Sequence, residues 1–182
     1  AHLLNGLREV HRNRLLHLDI KPANIYVRNG GSPLLIDFGA ARQTLASGGR
    51  LLTPMYTPGF APPEQYNRRD ELGPWSDIYA VGATLFACLA GAAPQAGDLR
   101  EENDQYVSAT RLWAGKYSEA LLQTIDWCLE IDPLRRPQSV FALQQVLLGK
   151  RAPMSRDRKT PWQRLGQAAR RLLRAKSTSS IP

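Results

Sequence analysis

The chain has 182 residues, 43% of them hydrophobic, with 24 Lys and Arg against 16 Asp and Glu; that balance fits a globular domain with a sizeable core and excludes a disordered chain. The net charge of +8 is concentrated at one end. Residues 1–149 hold 14 basic and 15 acidic side chains, and residues 150–182 hold 10 against one, Asp157. A boundary near Gly149 follows, and the basic excess gives no reason to assign nucleic-acid binding to the body.

Residue 1 is Ala, and no charged-then-apolar leader follows it. No secretory signal is expected, and the chain is expected to be a piece of a longer one. Leu3, Leu4, Leu7, Val10 and His11 recur at helical spacing and predict the end of an amphipathic helix over residues 1–12. Two short β-prone runs, Ile25–Val27 and Leu34–Ile36, flank Asn29-Gly30-Gly31 and predict a hairpin. Residues 40–63 lack periodicity and predict a long loop, a feature that is usually functional in a compact domain.

Helices are predicted at about 75–90, 104–113, 118–130 and 137–148, the last opening at Pro137. The uncharged run from Ile78 to Ala93 is shorter than the roughly 18–20 residues that cross a bilayer, so it predicts a buried core helix. Cys88 and Cys128 lie in apolar helical segments and are expected to be free, buried thiols in a reducing compartment, with one disulfide between them as the alternative. Helices dominate and strands are few.

The stretch "HLDIKPAN" places Asp19, Lys21 and Asn24 within six residues. A carboxylate can orient or deprotonate a hydroxyl, an ammonium can neutralise a phosphate, and a carboxamide oxygen can bind a hard cation. The hairpin after Asn24 ends at "LLIDFG", which brings a second carboxylate, Asp37, back to the same edge beside the permissive Gly39. This set suits phosphoryl transfer, where positioning and charge neutralisation supply most of the catalysis.

"HLDIKPAN" followed by "DFG" resembles the catalytic and metal loops of Ser/Thr protein kinases. The resemblance continues in order through "TPGFAPPEQY" (57–66), "WSDIYAVG" (75–82) and "DPLRRP" (132–137), and the chain looks most like bacterial members. It implies an α+β, mainly helical, protein-kinase-like fold represented by its large C-terminal lobe over 1–149. The small β-rich N-terminal lobe would lie upstream, because no glycine-rich loop occurs and no Lys precedes Lys21. It further implies a kinase that uses ATP with Mg²⁺ (or Mn²⁺) on protein substrates in the cytoplasm, with this chain alone inactive.

By the same resemblance Asp19 is the catalytic base, and Lys21 contacts the transferred phosphate and marks Ser/Thr specificity. Asn24 and Asp37 hold the metal, and Thr57 bridges Asp19 and Lys21. Tyr26 falls under the adenine ring, and His17 stacks with Phe38. Glu64 pairs with Arg136 in the interior, and Asp77 holds the catalytic-loop backbone. Taken singly, Asp77 could be only a helix cap and Thr57-Pro58-Gly59 only a turn. Thr44, Ser47, Thr53 and Thr57 are candidate phosphosites.

Three positions depart from the family pattern. Leu18 stands where a phosphate-binding Arg is usual, so phosphate at Thr53 is expected to have a modest effect. Tyr56 replaces a Gly and Pro62 an Ala. The alternatives are a pseudokinase scaffold, against which Asp19, Lys21, Asn24 and Asp37 argue, and a small-molecule phosphotransferase, against which "TPGFAPPEQY" argues.

Residues 150–182 read as a basic linker with an amphipathic helix over 161–175. Trp162, Leu165, Ala169, Leu172 and Leu173 form one face, with Arg164, Arg170, Arg171 and Arg174 around it. A plain solvated linker is one expectation. An anionic membrane surface on the cytoplasmic side is the alternative partner. Nucleic acid is the weaker one, since Trp162 is the only aromatic there to stack.

Overall fold

A computed structural model describes residues 2–43 and 56–150. Helix α1 (His2–Arg12) turns Leu4 and Leu7 inward and is followed by strand β1 (Leu15–Leu16). The functional loop then runs to a 3-10 turn at Pro22–Asn24 and into the hairpin β2 (Ile25–Val27) and β3 (Pro33–Leu35). Ile25 pairs with Leu35, Tyr26 with Leu34 and Val27 with Pro33. Gly30 and Gly31 make the turn with φ of 103° and 80°, a region open to glycine at little cost. The second strand begins and ends one residue earlier than expected. The Ile36 amide still donates to the Asn24 carbonyl at 3.0 Å in the same register, but the Asn24 amide turns back to the Lys21 carbonyl (3.0 Å), so the pairing stops there.

The expected loop over 40–63 contains a further short strand, β4 (Arg42–Gln43), antiparallel to β1. It ends in helix α2 (Pro63–Asn67). Two residues are too few to carry a period-2 signal, so β4 is visible only through its partner. The remaining helices are α3 (Pro74–Ala90), α4 (Gly97–Glu102), α5 (Ala109–Leu112), α6 (Glu119–Cys128) and α7 (Val140–Leu147). Of the helix expected at 104–113, the part at 109–112 forms as α5, residues 104–108 are irregular, and α4 lies ahead of the range. Asp104 breaks the expected helix by accepting from its own Tyr106 amide (3.0 Å) and from Arg100 (2.9 Å). Pro137 does not open the last helix. The backbone at Arg136 is still extended, and the Ser139 hydroxyl caps α7 by accepting from the Ala142 amide at 3.1 Å.

Helix α3 is the central beam. Ten of its 17 residues are buried, and among the described residues no helix is long and apolar enough to cross a membrane. Its Gly82 meets α6 so closely that a Cβ there would lie 2.5 Å from Cys128 Cβ. One core cluster joins Leu7, Ile20, Leu35, Ile78 and Leu143; the other joins Tyr79, Phe86, Leu122 and Ile125. Asp126 ties α5 to α6 by accepting from the Ala109 amide and the Tyr106 hydroxyl, both at 2.6 Å. Burial first, and then this bond to a carboxylate, raise the Tyr106 pKa.

The interior also holds a bidentate ion pair. Arg136 Nη1 and Nη2 reach Glu64 Oε1 and Oε2 at 2.7 and 3.0 Å, and both side chains are fully buried. The guanidinium also donates to the Glu130 and Ile131 carbonyls (2.7 and 2.8 Å) and lies over the Tyr79 ring. Ser76 Oγ donates to Glu64 Oε1 at 2.9 Å. Removing the cation leaves a buried, unpaired carboxylate, so Arg136→Ala should lose about 3–5 kcal/mol. Chemical denaturation of the 182-residue chain checks this, and an unchanged midpoint would refute the assignment.

Both cysteines are free, but Cys88 is exposed rather than buried, because α3 presents that face to solvent. Burial pushes the Cys128 thiol up to about 12. A thiol reagent at pH 8 should therefore label Cys88 alone in the native chain and both thiols in denaturant. Labelling counted by mass checks it.

Candidate functional site

The loop from His17 to Asn24 is shaped by a buried carboxylate beneath it. Asp77 Oδ2 accepts from the His17 amide (2.9 Å) and Oδ1 from the Leu18 amide (2.8 Å). Asp77 is therefore not the N-cap of α3, a place taken by Gly73. His11 Nε2 lies 2.8 Å from Asp77 Oδ2 and makes a third contact. Leu18 takes φ +62°, uncommon for a residue with a side chain, and its side chain is buried.

Asp19 is held from several directions. Thr57 Oγ1 donates to its Oδ1 at 2.7 Å, and Asn24 Nδ2 donates to its Oδ2 at 2.9 Å and to its carbonyl at 2.8 Å. Lys21 Nζ lies 2.8 Å from Asp19 Oδ2 and 2.8 Å from Thr57 Oγ1. The threonine hydroxyl thus accepts from the ammonium and donates to the carboxylate. An anion and a cation stand side by side at a partly buried edge, where charge acts more strongly than in bulk water.

The hairpin delivers Asp37 next to this group. The Ile36 amide bonds the Asn24 carbonyl, and the Ile36 carbonyl takes the ring of His17 at 3.1 Å. Asp37 is exposed, has φ +61°, and accepts the Gly39 amide at 3.1 Å. A Cβ at Gly39 would lie 3.1 Å from Asp37 Oδ1. Phe38 packs against His17 with ring centroids 4.7 Å apart. Tyr26 is exposed on β2.

The donor set suits a small hard cation. Asn24 turns its amide nitrogen to Asp19, which leaves the carboxamide oxygen, and Asp37 supplies a carboxylate. Among the described residues no group of three or more His, Cys, Asp or Glu forms a metal cage. Mg²⁺ suits such a sparse set, because it keeps water and takes substrate phosphate oxygens.

Sequence reasoning did not single out His11 or Gln65. Gln65 is buried and donates from Nε2 to the Leu18 carbonyl at 2.8 Å. His11 left one signal, a polar ring on the apolar stripe of α1. Thr57 is part-buried between Asp19 and Lys21. Thr44, Ser47, Thr53 and the segment 161–175 lie outside the described residues.

A family model for the protein kinase domain matches residues 1–148. Ribosomal protein S6 kinase 2 alpha of Xenopus laevis is 33% identical over 161 residues, covering 80% of this chain and 21% of that protein. Serine/threonine-protein kinase C of Synechocystis sp. is 33% identical over 157 residues, covering 81% of this chain and 28% of that protein. A solved structure titled "PpkA-294 apo form" superposes with a TM-score of 0.68 at 36% identity, covering 80% of this chain and 50% of that one. The chain therefore spans less than a third of these curated relatives and half of the solved relative.

An amide at position 77 would oppose its NH₂ to one of the donors that Asp77 now accepts. Asp77→Asn should lower stability by about 1–3 kcal/mol for each buried donor left unsatisfied. Hydrogen exchange at the His17 and Leu18 amides should accelerate, and denaturant titration checks the energy.

Proposed function

The chain belongs to the protein kinase family, and on that premise we propose that the full-length protein transfers the γ-phosphoryl group of ATP to Ser or Thr side chains of protein substrates. The observation that carries this reading is the Asp19 carboxylate, held by Thr57 and Asn24 with the Lys21 ammonium 2.8 Å away. Asp19 receives the proton of the attacking hydroxyl and fixes that oxygen in line. Lys21, whose ammonium stands beside Asp19, supplies the cation that would neutralise charge on the transferring group as it leaves ADP. Asn24 and Asp37 would hold Mg²⁺ (or Mn²⁺), which neutralises the phosphate oxygens when bound. Thr57, part of the segment that runs into α2, links the position of the substrate groove to both reacting side chains.

Leu18 supports a further part of the reading. Its buried alkyl side chain offers a phosphorylated loop no guanidinium at this position. Activity in this protein is proposed to depend little on phosphate at Thr53. The proposed compartment is the cytoplasm, where ATP is supplied.

The test uses the full-length protein with ATP, Mg²⁺ and a Ser/Thr protein substrate. Asp19→Asn should lower turnover by at least about a hundredfold, the ordinary share of a general base, with the fold intact. Asp37→Ala should abolish metal-dependent nucleotide binding. Turnover and binding unchanged in both variants would overturn the proposal.

A further inference from the structure

Leu18 is gripped on both of its peptide groups by side chains from distant parts of the chain. Asp77 takes its amide, and Gln65 Nε2 donates to its carbonyl at 2.8 Å. The backbone between these grips has φ +62°. A residue with a Cβ stays in that region where its surroundings over-determine it. The carbonyl that Gln65 holds belongs to the peptide plane that enters Asp19, so its direction sets the position of Asp19 Cα.

Gln65 follows Glu64 in α2, and Glu64 is locked to Arg136. Its side chain is buried, with 6% of the residue exposed. The segment 57–65 therefore reaches Asp19 twice. Thr57 holds the carboxylate, and Gln65 holds the backbone that leads into it. The Leu18 side chain is buried and apolar, so at this residue the connection runs through the main chain.

We propose that Gln65 is a positioning residue for Asp19, carrying the seating of α2 into the catalytic loop through the Leu18 carbonyl. Its catalytic consequence rests on the kinase reading above; the structural link does not. A glutamine that only satisfied a buried carbonyl would change stability and leave the turnover of folded molecules alone. A positioning glutamine changes kcat, because a small displacement of a reacting group is enough to slow chemistry.

Gln65→Met keeps the length of the side chain and removes the donor. Gln65→Glu keeps the shape and donates only when protonated. In the full-length protein, Gln65→Met should lower kcat about ten- to hundredfold with KM for ATP unchanged. The deficit of Gln65→Glu should shrink as pH falls, a trend absent from Gln65→Met when both are referred to the parent. In parallel, hydrogen exchange of the 182-residue chain should show faster exchange at residues 18–20 in Gln65→Met and unchanged exchange in α7. If Gln65→Met does not fold, Gln65→Glu compared across pH gives the same reading. A parental kcat per folded molecule, or unchanged exchange at residues 18–20, overturns the inference. A parent protein without phosphotransfer defeats the kinase reading instead, and the exchange measurement still decides the link.

Discussion

Asp77 lies fully buried in the first turn of α3, and its two oxygens face donors from His17, Leu18 and His11. A carboxylate taken out of water is costly unless nearly every lone pair is met. Here the donors include two backbone amides that the loop could not satisfy by itself, because residues 17–20 form neither helix nor strand. One buried group thus offsets the desolvation of a charge and the orphaned amides of an irregular loop. That exchange lets residues 17–24 keep a fixed shape with no ladder of their own.

The second constraint starts on the same turn of α3. Ser76, next to Asp77, donates to Glu64, and the Trp75 carbonyl takes a long contact from Arg136 at 3.4 Å. Three consecutive residues, 75–77, therefore touch both the anchor of α2 and the anchor of the 17–24 loop. The α3 helix is held in turn by its close approach to α6 at Gly82. Positions of Asp19 and Thr57, 38 residues apart in the chain, are referred to one rigid element. The 2.7 Å contact between them follows from that shared reference and needs no direct sequence neighbour.

Much of this was legible in the chain because the chemistry is local. Asp19, Lys21 and Asn24 lie within one turn of loop, and the hairpin length returns Asp37 to them. Glu64, Asp77 and Arg136 could be paired with their roles through family resemblance, and the structure places them in contact with the partners expected. What escaped has a common cause. Gln65 and His11 act on groups 47 and 66 residues away, and although Gln65 stands within "TPGFAPPEQY", nothing local to either side chain points to its partner. Nothing in the sequence singles out Arg100 or Asp126, yet both are buried, the first against Tyr79 and the Leu129 carbonyl. Side-chain bonds also moved the helix boundaries. Asp104 interrupts the pattern near 104–113 locally, and the Ser139 hydroxyl, by accepting from the Ala142 amide, starts α7 at Val140, three residues after Pro137. The exposure of Cys88 depends on which face of an apolar helix is left uncovered, a tertiary fact that hydropathy does not encode.

The two carboxylates of the site are held by different means. Asp19 takes bonds from α2's leading segment, from Lys21 and from Asn24, each from a residue with further anchors. Asp37 is exposed and has φ +61°; the bond shown on its carboxylate comes from Gly39, two residues on. Its place is set mainly through Ile36, which bonds Asn24 and His17 on its two sides. A left-handed conformation costs a residue with a side chain roughly 1–2 kcal/mol. At Leu18 that strain is locked by buried bonds from two helices. At Asp37 it is offset next to solvent by local bonds, whose opening free energy is smaller. The strain is similar at the two positions, but its confinement differs. The Asp19 side of the site is therefore the fixed frame, and on the proposed kinase reading the Asp37–Phe38 side is the part that nucleotide and cation would complete.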